Sequence, residues 1–138
     1  MPVSKDLVEG KIDIIQRNLE FLGEYKRIDV EEFIDSFKDV QAVKYSLLES
    51  IEACIDIASH MISADNLERP ESYAEMFEVL AKKEIIDKKL GEKLADMARF
   101  TNILVHGYAK IDNLKVLELV KEDLDDIEEF MGQVLKSL

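Results

Sequence analysis

The feature that most limits what this chain can fold into is its shortage of residues that break helices. Its 138 residues include 5 glycines and 2 prolines, and residues 38–63 contain neither. Glycine supplies the positive φ values of tight hairpin turns, so this chain is poorly suited to a β-sandwich or β-barrel, which needs many such turns. No glycine-rich phosphate-binding loop is present either. The sequence therefore favours long helices joined by short connections.

Apolar residues recur at three- and four-residue steps along most of the chain, which is the pattern of a helix with one buried face. Capping residues such as Asp29 and Ser72 mark where several of these helices begin. We expect an all-α fold, an antiparallel bundle of four to five helices, in a single domain over residues 1–138. The predicted helical segments are 5–25, 30–36, 38–63, one that begins at Ser72, 87–105 and 113–138.

Charge and cysteine content narrow the functional classes. Asp and Glu number 30 against 18 Lys and Arg, a formal net charge of −12, which opposes broad nucleic-acid binding and requires a local positive site for any such chemistry. The single cysteine, Cys54, excludes an intrachain disulfide and a cysteine zinc site, and its apolar surroundings predict a buried, inert thiol.

The sequence shows no secretory signal and no membrane-spanning run, so we expect a cytoplasmic protein that does not bind membranes.

Arg99, Asn102 and His106 form the most suggestive polar cluster. Steps of three, four and seven residues place them on one face if the helix continues to His106. The neighbouring apolar residues, including Ile103, are expected to point mostly elsewhere. Arginine neutralises phosphate oxygens, histidine acts as general acid or base, and asparagine orients a hydroxyl or the imidazole, so the stripe suits a phosphodiester. The alternative is that Arg99 pairs with surface carboxylates and His106 caps the helix end.

Glu52, Asp56 and His60 follow one another at four-residue steps on a second helix. Such a row can ligate a metal, but no further His or Cys ligand is evident, so we expect no metal. The row can equally be a set of hydrogen bonds in which Asp56 steadies His60. In a third interpretation, Glu52 or Asp56 lies across from Arg99 and supports it.

Two other features are expected to be structural. Tyr45, Tyr73 and Phe77 have helical spacing, which is more typical of core or interface residues than of a stacking platform. The acidic run at residues 122–129 is expected to be a solvated helix face, although it is also suited to a basic partner.

Three segments, in the same order along the chain, resemble the HepT-like branch of the HEPN superfamily. Residues 102–108, Asn-Ile-Leu-Val-His-Gly-Tyr, resemble the signature of the branch. Residues 48–58 resemble the long helix of this branch. Residues 70–77, followed by Leu80 and Ala81, resemble a third segment found in sequences of the same branch. The resemblance covers essentially the whole chain.

The resemblance implies an all-α HEPN bundle that forms a homodimer and acts as the toxin of a two-gene toxin–antitoxin module. It implies a metal-independent ribonuclease, without cofactor, whose Arg/His motifs meet at the dimer cleft, with Arg99 and His106 catalytic and Asn102 positioning. The implied partner is an MntA-type minimal nucleotidyltransferase antitoxin that adenylylates Tyr108. A bulky negative group beside the cleft would repel RNA.

One position departs from the family pattern. The branch normally has arginine immediately before the asparagine, and Thr101 occupies that position here. Arg99 still satisfies the broader Arg-x4-6-His spacing of the superfamily, but the two-residue shift turns its direction by about 160°. Either the long side chain of Arg99 serves a remodelled cleft, or nuclease activity is weakened or lost.

The sequence thus supports more than one function. The favoured hypothesis is a ribonuclease toxin, in which a small cleft built from two subunits overcomes the overall negative charge. The second is a helical binding partner of a nucleotidyltransferase with little or no activity of its own. A third, weaker hypothesis is a small-nucleotide-binding protein in which Arg99 and Asn102 bind phosphate.

Overall fold

The computed structural model describes residues 3–106 and 112–138, and within these ranges the chain forms seven α-helices. The all-α prediction is therefore confirmed. None of the helices in these ranges combines the length and the apolar character that a membrane crossing requires. The helices are α1 (Lys5–Gly23), α2 (Val30–Asp35), α3 (Phe37–Ala64), α4 (Tyr73–Lys82), α5 (Lys88–His106), α6 (Asn113–Glu122) and α7 (Leu124–Ser137).

Side-chain caps determine where several helices begin. The first N–H groups of a helix lack partners within it, and a serine or aspartate oxygen can accept from one of them. The Ser72 hydroxyl accepts from the Glu75 N–H at 3.1 Å, and Asp29 accepts from the Glu32 N–H at 3.3 Å, as the sequence predicted. Ser36 caps α3 in the same way and separates it from α2. These caps explain why the predicted starts agree with the structure to within a residue or two.

Polar contacts along α1 and α3 show that the two helices run antiparallel. Between the contacts, α1 carries an apolar stripe that its helical spacing predicts to be buried, and all of it except Leu7 is buried. The stripe consists of Leu7, Val8, Ile12, Ile15, Leu19 and Leu22. Leu7 is 39% exposed because it lies about 100° around the helix from the centre of the stripe. As the residue number increases along α1 and its flanking residues, the residue number of the partner on α3 decreases. The pairs are Ser4 with His60, Lys11 with Asp56, Asn18 with Glu49 and Tyr25 with Asp39.

Helices α4 and α5 approach each other so closely that Gly91 has no space for a side chain. A Cβ at Gly91 would lie 2.8 Å from the Ala81 Cβ and 3.2 Å from the Phe77 carbonyl oxygen. The Phe77 side chain is fully buried and meets Phe130 of α7 edge to face, with 5.7 Å between ring centroids. This packing fixes α4 against α5 and both against α7.

The segment predicted as one helix over 113–138 is two helices, α6 and α7, which meet at Asp123. Aspartate is a weak helix former that favours helix ends. Asp123 is also partly buried among acidic neighbours, so burial, and then repulsion from Asp126 and Glu122, raises the pKa of its carboxyl group. The prediction of a continuous helix was wrong because apolar spacing continues through the break.

Asp126 corrects a second prediction about the same segment. The sequence assigned residues 122–129 to a solvated face, yet Asp126 is 7% exposed. Its carboxylate accepts a hydrogen bond from the Lys93 ammonium of α5 at 3.3 Å. A buried carboxylate needs such a partner to offset its loss of hydration. Asp126 therefore joins α7 to α5 rather than facing solvent.

The structure also decides the environment of the other residues that the sequence singled out. Cys54 is buried, as predicted, and burial raises the pKa of its thiol to about 12. Phe77 belongs to the core, whereas Tyr45 and Tyr73 are 65% and 59% exposed. An inert thiol and a core phenylalanine agree with the expectation, while the two tyrosines remain available for contacts outside the chain.

The close approach at Gly91 can be tested by adding one methyl group. Alanine is a better helix former than glycine by up to about 1 kcal/mol, but Gly91→Ala forces Ala81 or the backbone of Phe77 to move, at a cost of about 1–3 kcal/mol. We therefore expect Gly91→Ala to lower the free energy of unfolding measured by urea denaturation.

The matched controls are Gly10→Ala in α1 and Gly132→Ala in α7, where an added Cβ meets nothing within 4 Å. These two variants should gain stability from helix propensity alone. A Gly91→Ala protein as stable as the controls would contradict the described packing of α4 on α5.

Candidate active site

The exposed face of α5 carries the three polar residues that the sequence grouped together. The helix continues to His106, so the condition for Arg99, Asn102 and His106 to share a face is met, and all three are exposed. Ile103 was expected to point elsewhere, but it is 46% exposed. Its direction differs from that of Arg99 by only about 40°, because four residues turn slightly more than one full circle. The stripe is thus polar with one apolar side chain at its edge.

Arg99 is held by two carboxylates from different parts of the chain. Its Nη1 lies 2.8 Å from Asp96 Oδ1, one turn earlier in α5, and its Nη2 lies 3.4 Å from Glu78 Oε1 of α4. This is the alternative that the sequence left open for Arg99. The guanidinium side chain remains 57% exposed, so each ion pair contributes about 0.2–1 kcal/mol and can be exchanged for another anion.

Arg99 and Asn102 line an open groove of about 530 Å³ between α5 and the start of α4. The Glu71 N–H donates to Glu75 Oε2 at 2.9 Å, which orders the edge of the groove at the start of α4. In a complete capping box the Glu75 carboxylate would instead accept from the backbone N–H of Ser72. The other lining residues are Glu71, Ser72, Tyr73, Ala74, Glu75, Glu78 and Ala98.

The groove has a strongly unequal charge distribution. Arg99 is the one cation among its lining residues, and Glu71, Glu75 and Glu78 are anions. Asp96 adds a further carboxylate beside the arginine. A phosphate that enters must replace carboxylates on Arg99, and the acidic walls repel a second one. Chemically, the groove is suited to one anionic group with an uncharged group attached.

Thr101 faces the opposite side of α5. It is 4% exposed, and its hydroxyl donates to the Met97 carbonyl oxygen at 3.0 Å. The two-residue separation from Arg99 predicted opposite directions for these two positions, and their burial agrees with this. Arg99 therefore does not occupy the direction of the position where the family motif has its arginine.

His106 is exposed in the last turn of α5, beyond the groove. It is not among the groove-lining residues, and it lies four residues, or about 6 Å along the helix axis, past Asn102. The modification site expected at Tyr108 lies outside the described residues. So does Gly107, a residue type that the sequence would predict to end this helix.

The row formed by Glu52, Asp56 and His60 faces α1 or solvent rather than Arg99. Asp56 accepts from Lys11 at 2.9 Å, and His60 Nε2 accepts from the Ser4 N–H at 2.9 Å. Glu52 is exposed. Asp56 therefore does not support Arg99, whose partners are described above. The lone pair of His60 Nε2 is also occupied, and the described ranges hold no group of three potential metal-ligating side chains.

Asp96 and Glu78 were not among the partners predicted for Arg99. The three-residue spacing between Asp96 and Arg99 is a recognisable signal for an ion pair on one helix. Glu78 gives no such signal, because it is 21 positions away on α4 and is brought to Arg99 only by the packing of the two helices. Tyr73 likewise gives no local signal for this site, because only the packing of α4 on α5 places it in the groove.

Comparison with known proteins agrees with this architecture. The profile of the HepT-like ribonuclease family matches residues 15–134. A protein named mRNA nuclease HepT, from Shewanella oneidensis, is 31% identical over 129 residues, covering 94% of this chain and 96% of that protein. A tRNA nuclease HepT from Aphanizomenon flos-aquae is 29% identical over 131 residues, covering 93% of this chain and 87% of that protein.

A solved structure has a similar fold over nearly the full chain. It is the tri-AMPylated Shewanella oneidensis HEPN toxin in complex with an MNT antitoxin. The TM-score is 0.88 at 30% sequence identity, and the alignment covers 98% of this chain and 100% of that one. The profile match and the relative at 31% identity together establish that this chain belongs to the HepT-like family of ribonucleases.

Proposed function

We propose that this chain is the toxin subunit of a two-gene toxin–antitoxin module and that it cleaves RNA without a metal ion. The observation that carries the proposal is the exposed stripe of Arg99, Asn102 and His106 on α5 in a chain of the HepT-like family. Two relatives named mRNA and tRNA nuclease support the reaction class. The RNA substrate makes the cytoplasm the expected location.

In the proposed mechanism, His106 removes the proton of the ribose 2′-hydroxyl or donates a proton to the leaving oxygen. Arg99 stabilises the negative charge that develops on the phosphate, and Asn102 positions the reacting groups. Arg99 first has to exchange Asp96 and Glu78 for phosphate oxygens. Two copies of the chain are proposed to form a homodimer in which the two motifs face a shared cleft. Each subunit is proposed to be built on a bundle of four to five helices.

The proposed partner is an MntA-type nucleotidyltransferase, and the proposed regulatory site is Tyr108. A relative with the same fold was solved as a tri-AMPylated toxin with its MNT antitoxin, which supports this assignment. Each added AMP introduces a negative phosphate near His106. The groove is already lined by several carboxylates, so additional negative charge on the chain would further disfavour RNA.

A second candidate function is a helical partner of the nucleotidyltransferase with weak or absent nuclease activity. The observations that favour it are the buried Thr101 at the position of the family arginine and the carboxylates that hold Arg99. This alternative predicts a stable complex with the nucleotidyltransferase and no growth arrest when the chain is expressed alone. Growth arrest that depends on His106 would exclude it.

Loss of the proposed acid–base group should abolish RNA cleavage. With a chelator present, we expect His106→Ala to lower the cleavage rate by about 100- to 10,000-fold. Arg99→Ala should lower it by about 100- to 1,000-fold. The measurement is cleavage of a mixed-sequence, single-stranded RNA followed by gel electrophoresis.

The controls for this experiment are Arg17→Ala on the exposed face of α1 and His60→Gln, which keeps a hydrogen-bond acceptor near the Ser4 N–H. Both should cleave RNA at nearly the wild-type rate. Intact RNA in the wild-type reaction, or equal rates for wild type and His106→Ala, would refute the nuclease proposal.

Neutralising the carboxylates that hold Arg99 should strengthen RNA binding. Glu78→Gln and Asp96→Asn each free one side of the guanidinium and remove one negative charge, so we expect each to raise RNA affinity by about 2- to 5-fold. The measurement is the dissociation constant from fluorescence anisotropy at low salt. The control is Glu92→Gln, an exposed residue about 10 Å from Arg99 along the same helix. An equal gain in that control would mean that overall charge, rather than release of Arg99, is responsible.

Removal of the Tyr108 hydroxyl should prevent nucleotide attachment. When the chain is co-expressed with its nucleotidyltransferase, we expect Tyr108→Phe to lack the added mass of AMP that the wild type carries. The measurement is mass spectrometry of the intact protein. Tyr45→Phe, at an exposed tyrosine of α3, is the matched control and should be modified like the wild type. Unchanged modification of Tyr108→Phe would show that another residue is the acceptor.

A further inference from the structure

The groove beside Arg99 contains an exposed aromatic ring for which the proposed mechanism has no role. Tyr73 is the first residue of α4, lines the groove with Arg99 and Asn102, and is 59% exposed. Within residues 3–106 and 112–138, its hydroxyl makes no hydrogen bond and its ring pairs with no other aromatic ring. Tyr25, by contrast, is packed between Phe21 and Phe33. As far as the described residues go, the exposed ring of Tyr73 is thus free to contact a ligand in the groove.

The size and charge of the groove limit what that ligand can be. A volume of about 530 Å³ lies within the range of small-molecule binding sites and accommodates a nucleotide. Arg99 offers its guanidinium to one phosphate, while Glu71 and Glu75 repel another. The groove thus favours a ligand that has one phosphate at Arg99 and a neutral, flat group extending away from it.

We propose that the groove is a nucleoside subsite of the RNA-cleavage site, in which Tyr73 stacks on the base next to the phosphate that Arg99 holds. This inference rests on the proposed function and adds a substrate-binding residue to it. Stacking on tyrosine uses the π-face that every base has, so the subsite tolerates different bases. Asn102, on the same wall, supplies hydrogen-bond groups to the ribose or base edge.

The subsite selects single-stranded RNA. A base in a duplex is stacked between its neighbours and paired on its edge, so it cannot lie flat on Tyr73 without being unpaired. His106 lies outside the groove, about one helical turn beyond Asn102. A nucleoside in the groove therefore leaves its linked phosphate between Arg99 and His106, where cleavage is proposed.

The test compares RNA binding by tyrosine variants in a His106→Ala background, which prevents cleavage during the measurement. The probe is a short, fluorescently labelled, mixed-sequence single-stranded RNA, and a duplex of the same sequence serves as a second probe. We expect Tyr73→Ala to weaken single-strand binding by about 5- to 150-fold, the range that corresponds to the loss of one stacked base. Tyr73→Phe, which keeps the ring, should bind within about twofold of the parent, and duplex binding should not depend on Tyr73.

The matched control is Tyr45→Ala, which removes a similarly exposed tyrosine from α3. The inference is overturned if Tyr73→Ala binds single-stranded RNA like this control, if Tyr73→Phe binds as weakly as Tyr73→Ala, or if the parent binds no RNA. A changed oligomeric state of Tyr73→Ala in size-exclusion chromatography, with RNA binding intact, would overturn it by identifying the groove as a subunit contact.

Cleavage by the protein with His106 intact separates this inference from the proposed function. Binding that depends on Tyr73, in a protein that never cleaves RNA, would support the subsite and refute the nuclease. Cleavage that depends on His106 but not on Tyr73, together with binding that Tyr73→Ala leaves unchanged, would support the nuclease and refute the subsite.

Discussion

The close contact between α4 and α5 is the constraint on which the candidate site depends. At Gly91 the two helices leave no room for a methyl group, and Phe77 of α4 packs against Phe130 of α7. Closely packed protein interiors transmit displacements from one element to the next rather than absorbing them. The start of α4 is consequently held beside the later turns of α5, and the groove between them has a defined shape.

That same contact determines the electrostatics of the site. It brings Glu78 to Arg99 and lines the groove with Glu71 and Glu75. Arg99, the candidate phosphate-binding cation, is therefore surrounded by acidic side chains, in keeping with the formal charge of −12 for the whole protein. The proposed RNA binding therefore has to rest on a few specific contacts, because a net negative charge supplies no long-range attraction for RNA.

Local signals in the sequence predicted the helices well. Caps at Asp29 and Ser72 and the buried stripe of α1 are decided by residues within one or two turns, so they can be read without the fold. The break at Asp123 was missed because the apolar spacing of α6 and α7 continues across it. The burial of Asp126 was missed because its partner, Lys93, lies 33 positions away.

The sequence by itself determined that this chain is all-α, that Arg99 and Asn102 share one helix face, and that Arg99 and Thr101 point in opposite directions. Helix geometry alone dictates these relations, because 3.6 residues per turn fixes the direction of each side chain. His106 joins that face because α5 reaches it in the structure. Only the tertiary structure decided that Asp56 binds Lys11 rather than Arg99, that Glu78 binds Arg99, and that Tyr73 lies in the same groove. These contacts join residues on different helices, and helix-to-helix distances depend on the packing of the whole core rather than on any local pattern.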